Sequence, residues 1–446
     1  MTDRLYPTLQ ISNSLVATIH RDTVRHTPRR RRRIARLIAG MLLALVAVTS
    51  CATAVNQDAT DGSPATVEVP PINTGPAPPA VTQAPTITIP RDVRAAWVHL
   101  FDDTLKTSAG ITTMVDAAAN AGVNLLIVQV ARRHDAYYTS AVLPRTTDPN
   151  VEAGLDVLAA VLAAAQPRGI AVHAWYGIAP TWHAVYDELD RPKGSWIGTD
   201  HGLTAAVDDR WVSRTYDGTW MEYLDPAVPA VQRHVLAVVE ELLQRYPVDG
   251  VHLDYVRYAG ITTGYNPAAL AAYATTTGHT GVPVPADPAF VAFRKDAVTA
   301  LVRDVHALTH ANGVVFSAAV ISWGQPPADG ILAATRTGTD ALQAWDAWLT
   351  EGILDVAFPM NYFRATQPEH AEWFTGWLAY QTVLDAAVPG HVVSGVGGYL
   401  NDVDDTLAQL DAAIRSTGSV ALYSWQQTTS GDADELRRKL ATDGWG

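Results

Sequence analysis

The chain has 446 residues, of which 48% are hydrophobic and 17% are charged. This length allows two or three ordinary domains or one large barrel, and the hydrophobic fraction excludes a chain that is disordered throughout. The formal net charge is -13 although residues 1–50 contain nine Arg and only two Asp, so the rest of the chain is strongly acidic. An acidic surface repels phosphate backbones, and we therefore expect no nucleic-acid partner.

The N-terminal segment has the order of features typical of a lipoprotein signal peptide. Arg29–Arg33 precede an apolar run, Leu37–Val48, whose 12 residues are too few to span a bilayer as a helix. Small residues then lead into Cys51 in a sequence similar to a bacterial lipobox, which predicts lipidation of Cys51. A short membrane anchor with an incidental free cysteine is the alternative. We expect residues 1–50 to be a signal peptide and the mature chain to be extracytoplasmic, anchored by lipid to the bacterial cell membrane.

The next segment has the composition of a disordered tether. Ala52–Pro90 contains eight prolines, no aromatic residue and no Lys or Arg, so it cannot bury enough apolar surface to offset the entropy of ordering. Residues 51–90 are therefore predicted to be a lipidated cysteine followed by a Pro-rich linker. Residues 91–446 are predicted to be the folded domain.

After Pro90, short runs rich in β-branched residues alternate with Ala- and Leu-rich helical stretches, the pattern that produces parallel sheets. The eight predicted strands are Val93–Leu100, Asn124–Ala131, Ala171–Tyr176, Gly250–Tyr255, Val314–Ile321, Asp355–Asn361, Val392–Val396 and Val420–Trp425. The predicted helices include Thr112–Ala121, Leu155–Gln166, Ala230–Tyr246, Phe290–Ala311, Ala341–Glu351 and Thr406–Thr417. Eight such units predict an α/β fold, a (β/α)8 TIM-type barrel with enlarged βα loops. A doubly wound sheet is the alternative, but no predicted strand leads into a G-x-G-x-x-G turn.

Several residues mark the predicted helix ends. Gly122, Gly169, Gly313 and Gly352 each follow a helical stretch at the position where a positive φ angle is often required. Asp225, which precedes Pro226 and a long helix, is predicted to be an N-cap.

The C-terminal ends of barrel strands carry the active site, so polar and aromatic residues there are the functional candidates. Period two places His252 and Asp254 on the same face of the fourth predicted strand, pointing into the barrel. An inward carboxylate near the mouth is costly unless it is paired or functional, so Asp254 is the first catalytic candidate. The candidates for substrate contact are Trp97, Gln129, His173, Trp175, His252, Arg257, Tyr258, Asn361, Tyr362 and Trp425. Any of the tryptophans can instead be a core residue, and the histidines can be satisfied interior residues.

A mouth with carboxylates and many aromatic side chains suits carbohydrate, because indole and phenol rings stack on the C–H faces of sugars. Glycoside hydrolysis needs one carboxylic acid with a raised pKa and a second group that attacks or activates water. Asp254 can fill one of these roles.

Four stretches of the chain resemble the family 10-like glycosyl hydrolases (GHL10) of bacterial envelopes. They are Arg94–Trp97, Gln129–Val130 with Asp135–Ser140, His173–Trp175, and Leu224–Pro226 continuing to Arg245–Tyr255. The resemblance implies a barrel, a glycan substrate such as the glycan strands of peptidoglycan, and a catalytic carboxylate at Asp254. Two positions depart from the family pattern. Tyr255 follows Asp254 where the family often has a second acid, and the residues at strand six are Pro359-Met360-Asn361-Tyr362-Phe363.

The second carboxylate is less clearly indicated. The family match favours Asp135, while Glu222, Glu369 and Glu372 are alternatives. If the substrate carries N-acetyl groups, its own acetamido oxygen can act as the nucleophile, so that one protein acid suffices.

The preferred hypothesis is therefore an envelope-anchored glycoside hydrolase that acts on a polysaccharide by carboxylate acid/base catalysis. A degenerate barrel that binds envelope glycan without cleaving it is the first alternative. Metal-dependent chemistry through His252 and Asp254 is the second, although no further ligand is indicated by spacing. Because the chain has one cysteine, neither a disulfide nor a thiolate zinc site is expected, and no cofactor or metal is predicted. The sequence leaves the oligomeric state open.

Overall fold

The structure is a computed structural model that describes residues 87–181, 196–428 and 433–445. The predicted signal peptide, the lipidation site at Cys51 and most of the predicted tether lie outside these residues. Ile87 and Ile89, at the end of the predicted linker, pack against the apolar cluster inside the barrel. Within the described part of the chain, no helix is both long and apolar enough to cross a membrane.

The sheet is a closed barrel of eight parallel strands. The strands in chain order are β1 (Arg94–Val98), β2 (Leu125–Arg132), β3 (Asp135–Ala136), β4 (Ala171–Gly177), β5 (Val212–Arg214), β6 (Trp220–Leu224), β7 (Gly250–Asp254), β8 (Val315–Ile321), β9 (Val356–Asn361), β10 (His391–Val392), β11 (Ser394–Gly397) and β12 (Val420–Tyr423). The barrel order is β1, β2, β4, β7, β8, β9, β11, β12, and β12 pairs back with β1 to close it. β10 pairs with β9 just before β11 does, so β10 and β11 together form the seventh barrel strand.

Two short pairings lie outside the barrel wall and shape its mouth. β3 turns back antiparallel on the end of β2, and β5 and β6 form an antiparallel hairpin in the long connection after β4. Both follow the C-terminal ends of barrel strands, which is where the predicted enlarged loops belong.

Helices surround the barrel. In chain order they are α1 (Ser108–Asn120), α2 (Val157–Ala165), α3 (Trp196–Asp200), α4 (Pro229–Arg245), α5 (Pro267–Thr277), α6 (Pro288–Ala311), α7 (Arg336–Thr339), α8 (Trp345–Glu351), α9 (Pro368–Ala387), α10 (Val403–Thr417) and α11 (Ala433–Asp443). Many begin at a side chain that accepts a backbone N–H, such as Asp156 for α2, Asp287 for α6 and Asp402 for α10.

The core has two layers, as a (β/α)8 barrel requires. One apolar cluster fills the space between the strands and the surrounding helices, and a smaller one fills the barrel itself. Inside the barrel, every second residue of a strand points inward: Ala95 and Trp97 on β1, Leu125 and Ile127 on β2, Val356 and Phe358 on β9. This alternation also places His252 and Asp254 inside.

The fold predicted from the sequence is confirmed, with small shifts at the element ends. All eight barrel strands are present within two or three residues of the predicted bounds. Gly122, Gly169, Gly313 and Gly352 all have positive φ angles, between 66° and 75°. Five helices were not among those predicted, α3, α5, α7, α9 and α11, and neither was the β5–β6 hairpin.

The prediction that Asp225 is the N-cap of α4 is wrong. The helix begins at Pro229 and its N-cap is Val228. The Asp225 carboxylate is fully buried instead, where it accepts hydrogen bonds from the Ala227 backbone and the Ser213 and Tyr258 hydroxyls. Pro226 lies in the turn that precedes the helix. The Asp225 carboxylate joins the long connection after β4 to the loop after β7.

Candidate active site

Asp254 is the last residue of β7, and its side chain lies at the C-terminal end of the barrel interior. The residue is 7% exposed. Its Oδ1 atom accepts the backbone N–H of Tyr255 at 2.6 Å and Nη1 of Arg257 at 3.3 Å. Tyr255 has a φ angle of 59°, a left-handed conformation that turns the chain after the strand. The local backbone therefore holds Asp254 in place.

The surroundings of Asp254 favour its protonated form. Burial raises the pKa of this carboxyl group, while the Arg257 charge, the Tyr255 N–H and the Trp175 indole oppose the rise. The net direction is upward, as a group that donates a proton to a glycosidic oxygen requires.

Aromatic side chains contact Arg257 and the backbone around the Asp254–Arg257 pair. The Arg257 guanidinium lies 4.3 Å from the centre of the Tyr255 ring. The Tyr223 hydroxyl donates to the backbone oxygens of Tyr255 and Arg257, at 3.3 and 2.8 Å. Tyr223 belongs to β6, so the hairpin after β4 fixes the loop after β7. Tyr223 was not among the predicted site residues, because nothing in the local sequence indicates its contact with backbone groups more than 30 residues away.

A hydrogen-bonded layer lies beneath Asp254 inside the barrel. The Trp97 indole donates to Nε2 of His252 at 3.2 Å, and the Ser317 hydroxyl lies 3.0 Å from Nδ1 of His252 and 2.9 Å from Nδ1 of His173. Ser317 donates to the Val251 carbonyl, so both histidines donate to Ser317 from Nδ1. Burial lowers the pKa of both rings, that of His173 to about 3. Trp97, His173 and His252 are therefore neutral interior residues rather than groups at the mouth.

This network argues against metal-dependent chemistry through His252 and Asp254. Because Nε2 of His252 accepts the Trp97 N–H and Nδ1 carries the proton, the ring has no free lone pair for a metal. Among the described residues, the His252–Asp254 pair is not part of any cluster with the geometry of a metal site.

Asp135 lies in a different part of the mouth. It is the first residue of β3, after a two-residue turn in which Arg133 and His134 both have positive φ angles, 54° and 59°. Arg133 Nη2 lies 3.4 Å from its Oδ2 atom. Burial raises the pKa of Asp135 and the Arg133 charge opposes the rise. Two adjacent non-glycine residues in this conformation are strained, which marks the turn as a place held for a specific shape.

The other carboxylate candidates differ in exposure. Glu222 is half-buried on β6, within the hairpin that carries Tyr223, whereas Glu369 and Glu372 are exposed in the first turns of α9. Among the described residues, none of the four candidates makes a hydrogen bond or ion pair with Asp254.

A group of tyrosines forms an aromatic cluster at the C-terminal ends of β9, β11 and β12, the end of the barrel at which Asp254 lies. Tyr362 stacks on Tyr423 with ring centroids 5.4 Å apart, and the Tyr399 ring meets both edge-on at 5.9 Å. Trp175 meets Tyr423 edge-on at 6.3 Å. All three tyrosines are half-buried, so part of each ring is exposed. Tyr362 and Trp175 were among the predicted substrate contacts, whereas Tyr399 and Tyr423, from the ends of the last two barrel strands, were not.

The remaining candidates point away from the mouth or hold its loops. Asn361 exchanges hydrogen bonds with Gln381 of α9 and donates to Ser394, and Tyr258 donates to Asp225. Gln129 accepts the Leu100 N–H, which ties β2 to the loop after β1. Trp425, 3% exposed, packs in the outer core, where its carbonyl accepts a hydrogen bond from Arg437 of α11. β12 ends at Tyr423, two residues earlier than predicted, so the inward alternation does not extend to Trp425.

The chain matches the model of the family described as glycosyl hydrolase-like 10 over residues 92–399. Two curated relatives are similar over part of their length. Glycosyl hydrolase DigH of Escherichia coli K12 is 28% identical over 144 residues, 31% of this chain and 32% of that protein. Glycosyl hydrolase YngK of Bacillus subtilis is 23% identical over 294 residues, 61% of this chain and 54% of that protein. The matches thus span about half of these relatives or less.

Solved structures with a similar fold include two carbohydrate-active enzymes. The PgaB (BpsB) glycoside hydrolase domain of Bordetella bronchiseptica has a TM-score of 0.51 and 14% identity, and the match covers 77% of this chain and 98% of that domain. The catalytic domain of β-amylase from Paenibacillus polymyxa has a TM-score of 0.54 and 12% identity, with 79% and 100% covered. At these identities the likeness establishes the barrel fold.

Proposed function

Because the chain belongs to the glycosyl hydrolase-like 10 family, we propose that it is a glycoside hydrolase in which Asp254 is the general acid. The observation that carries this assignment is the Asp254 carboxyl group, buried at the C-terminal end of β7 with a raised pKa and fixed by Tyr255 and Arg257. The half-buried rings of Tyr362, Tyr399 and Tyr423, at the same end of the barrel, are the candidates for stacking on sugar rings. The substrate class is envelope polysaccharide, and the family resemblance favours the glycan strands of peptidoglycan.

In the proposed reaction Asp254 donates its proton to the glycosidic oxygen as the bond between that oxygen and the anomeric carbon breaks. The resulting carboxylate is stabilised by Arg257. A second group then assists attack on the anomeric carbon, and water supplies the final hydroxyl and returns a proton to Asp254. Asp135 fills the second role, or the acetamido oxygen of the substrate does. Asp135→Asn separates these mechanisms, because only the first requires an ionisable group at residue 135.

Asp254→Asn tests the assignment, since it keeps the shape of the side chain and removes the ionisable group. We expect turnover to fall by at least about 100-fold, the low end of the contribution of a positioned acid. The assay is the release of reducing ends from purified sacculi, with and without stem peptides, with products identified by mass spectrometry.

The control for this test is Asp340→Asn, which removes an exposed carboxylate paired with Arg336. We expect normal turnover and a normal melting temperature for that variant. Near-normal turnover of Asp254→Asn would remove Asp254 from the mechanism, and lost activity with a collapsed melting temperature would make it a structural residue.

A glycan-binding barrel without hydrolysis is the second candidate. The observation that favours it is Tyr255, which occupies the position after Asp254 where an adjacent acid would stand. Binding of glycan by the wild type without release of reducing ends would establish this function.

We also propose that lipid on Cys51 anchors the mature chain to the membrane, with the Pro-rich segment as the tether. The support is the order of basic stretch, short apolar run and lipobox-like residues in the sequence. Cys51→Ala should release the protein from membranes or leave it unprocessed. A variant that fractionates and migrates like the wild type would refute the lipid anchor and leave the catalytic proposal untouched.

A further inference from the structure

Three possible metal ligands lie together at the end of the barrel opposite Asp254. His306 and His310 are one turn apart near the C-terminal end of α6, and Asp355 directly precedes β9. Asp254 ends its strand whereas Asp355 lies before one, so the two carboxylates belong to opposite faces of the barrel. This cluster is therefore separate from the candidate active site.

The carboxylate is held rigidly in this cluster. Asp355 Oδ2 accepts the backbone N–H of Phe316, and the Asp355 backbone bonds to Phe316 and His391 on the neighbouring strands. The side chain is only 6% exposed. A ligand fixed to two strands costs little further ordering when it binds an ion.

The distances between the donor atoms are close to those of a metal site. Nε2 of His310 lies 3.0 and 3.1 Å from the two Asp355 oxygens, and Nε2 of His306 lies 4.0 Å from Oδ1. All three donor atoms lie within 4.8 Å of one another. Ligands about 2.0–2.1 Å from a tetrahedral zinc ion are about 3.3 Å apart, so small side-chain movements suffice.

His306 supplies the observation that points to a missing ligand. Its Nε2 atom is buried and has no hydrogen-bond partner among the described residues. An imidazole nitrogen without a hydrogen-bond partner, 4.0 Å from a carboxylate oxygen, is suited to bind a cation between the two groups.

We propose that His306, His310 and Asp355 form a binding site for a divalent transition-metal ion, of which zinc is the representative. Two imidazoles and one carboxylate are the ligand set that zinc and its neighbours in the first transition row prefer over magnesium or calcium. The bound ion joins α6 to the base of β9, and its role is to stabilise the barrel.

The surroundings allow an ion to enter. The side chain of His310 is 37% exposed and that of His306 17%, so solvent reaches the site and supplies the remaining ligand. Arg303, on the preceding turn of α6, is paired with Glu351. The Glu351 charge offsets the repulsion between Arg303 and a bound metal ion. The site is independent of the proposed hydrolase activity.

The test uses tag-free protein that has been treated with a chelator and dialysed, titrated with zinc chloride by calorimetry. We expect one equivalent to bind and the melting temperature to rise with zinc concentration. His306→Asn and His310→Asn should each weaken zinc binding by about 100-fold or more and abolish the thermal shift. Cobalt substitution gives a second readout, because its visible absorption spectrum reports histidine ligation.

The control variant is His279→Asn, which removes a half-buried histidine whose ring is tilted against that of Tyr273 and which lies outside the cluster. It should bind zinc like the wild type. The proposal is overturned if the wild type binds no zinc at micromolar concentrations, or if His306→Asn and His310→Asn bind it as tightly as His279→Asn does. Asp254→Asn should bind zinc normally, so failure of the hydrolase proposal leaves this one intact.

Discussion

Arg257 governs the ionisation of Asp254 more directly than any other residue. The guanidinium is buried beside the carboxylate and contacts Oδ1, and its charge is the largest effect that opposes the rise in the pKa of Asp254 caused by burial. Because the two charged groups are buried together and cannot rearrange easily, removing the charge of one partner changes the pKa of the other.

Arg257→Gln should therefore raise the pKa of Asp254 further. A general acid acts in its protonated form, so activity is lost as the pH rises through this pKa, and a higher pKa moves the alkaline limb of the pH–rate profile to higher pH. The measurement is initial rate against pH for both proteins on the same glycan. Arg303→Gln, which removes an exposed arginine on α6, is the control and should leave the profile unchanged. A limb that moves to lower pH, or does not move, would contradict the role of Arg257.

The same carboxylate affects stability in a direction that can be worked out. The folded-state pKa of Asp254 is raised, so the stability that it contributes is present below the unfolded pKa and is lost as the pH rises through the folded value. At neutral pH its ionisation opposes folding, whereas replacing it by Asn leaves Arg257 without its charged partner. These effects have opposite signs, and we expect Asp254→Asn to change the melting temperature little.

Trp425 and Tyr362 were both predicted from the sequence to contact the substrate, but they should behave differently when replaced by Ala. Trp425 is buried in the outer core, so its loss should cost roughly 3 to 5 kcal/mol of stability and leave the activity of the folded fraction normal. Tyr362 is half-buried in the aromatic cluster, so its loss should raise KM about threefold to tenfold with little effect on melting temperature. The measurements are thermal unfolding and steady-state kinetics for both variants. An increase in KM for Trp425→Ala together with a normal melting temperature would place Trp425 at the mouth.

At the scale of single elements, β7 has no room for a side chain at its first residue, Gly250. A Cβ atom at Gly250 would lie 2.3 Å from Cδ2 of His173, which belongs to the adjacent strand β4. The His173 ring is held by Ser317 of β8, which neighbours β7 on the side away from β4. β7 therefore needs glycine at its first position so that β4 can point a large side chain inward in the same layer.

Gly250→Ala should destabilise the protein by about 1 to 3 kcal/mol or more, the cost of overpacking a close-packed interior. Gly260→Ala is the matched control, because a Cβ there meets nothing within 4 Å and its φ angle is not in the left-handed region. Equilibrium unfolding in urea gives both values. If the two variants are equally stable, the His173 ring can move aside and the packing argument fails.

At the scale of the whole molecule, the most unusual electrostatic feature is a set of buried neutral histidines. Burial lowers the pKa of His99 and His234 to about 4 and that of His173 to about 3, and it places the pKa values of His134 and His252 well below the ordinary value. Each takes up a proton on unfolding below pH 6.5, so the stability that each contributes falls as the pH falls toward its folded-state value. Three buried carboxyl groups with raised pKa values act in the opposite direction, Asp135, Asp225 and Asp254.

The histidines whose pKa is lowered by burial outnumber the carboxyl groups whose pKa is raised by it. We therefore expect the free energy of unfolding to fall as the pH is lowered from about 6.5 to about 5. Urea titrations at several pH values across this range measure it. Carboxylates with lowered pKa values contribute only at lower pH, so they do not account for a loss in this window. Stability that is constant or increases on acidification would contradict the neutral state of the buried histidines.

The sequence by itself was sufficient for the architecture and for the inward position of Asp254 at the end of its strand. Strand positions, the glycines with positive φ angles and the inward direction of Asp254 all depend on local periodicity and local backbone conformation, which neighbouring residues determine. The barrel was predictable because eight repeats of one local pattern have few ways to bury their apolar faces.

The composition of the mouth, in contrast, was decided by tertiary structure. Whether a residue at a strand end faces the substrate depends on where the strand stops and which strand lies beside it, and a shift of one residue reverses the direction of a side chain. Asn361 faces α9 and Trp425 enters the outer core for this reason, although each is the last residue of a predicted strand. Tyr223 and Tyr399 reach the site from distant loops, because only closure of the barrel brings those loops together.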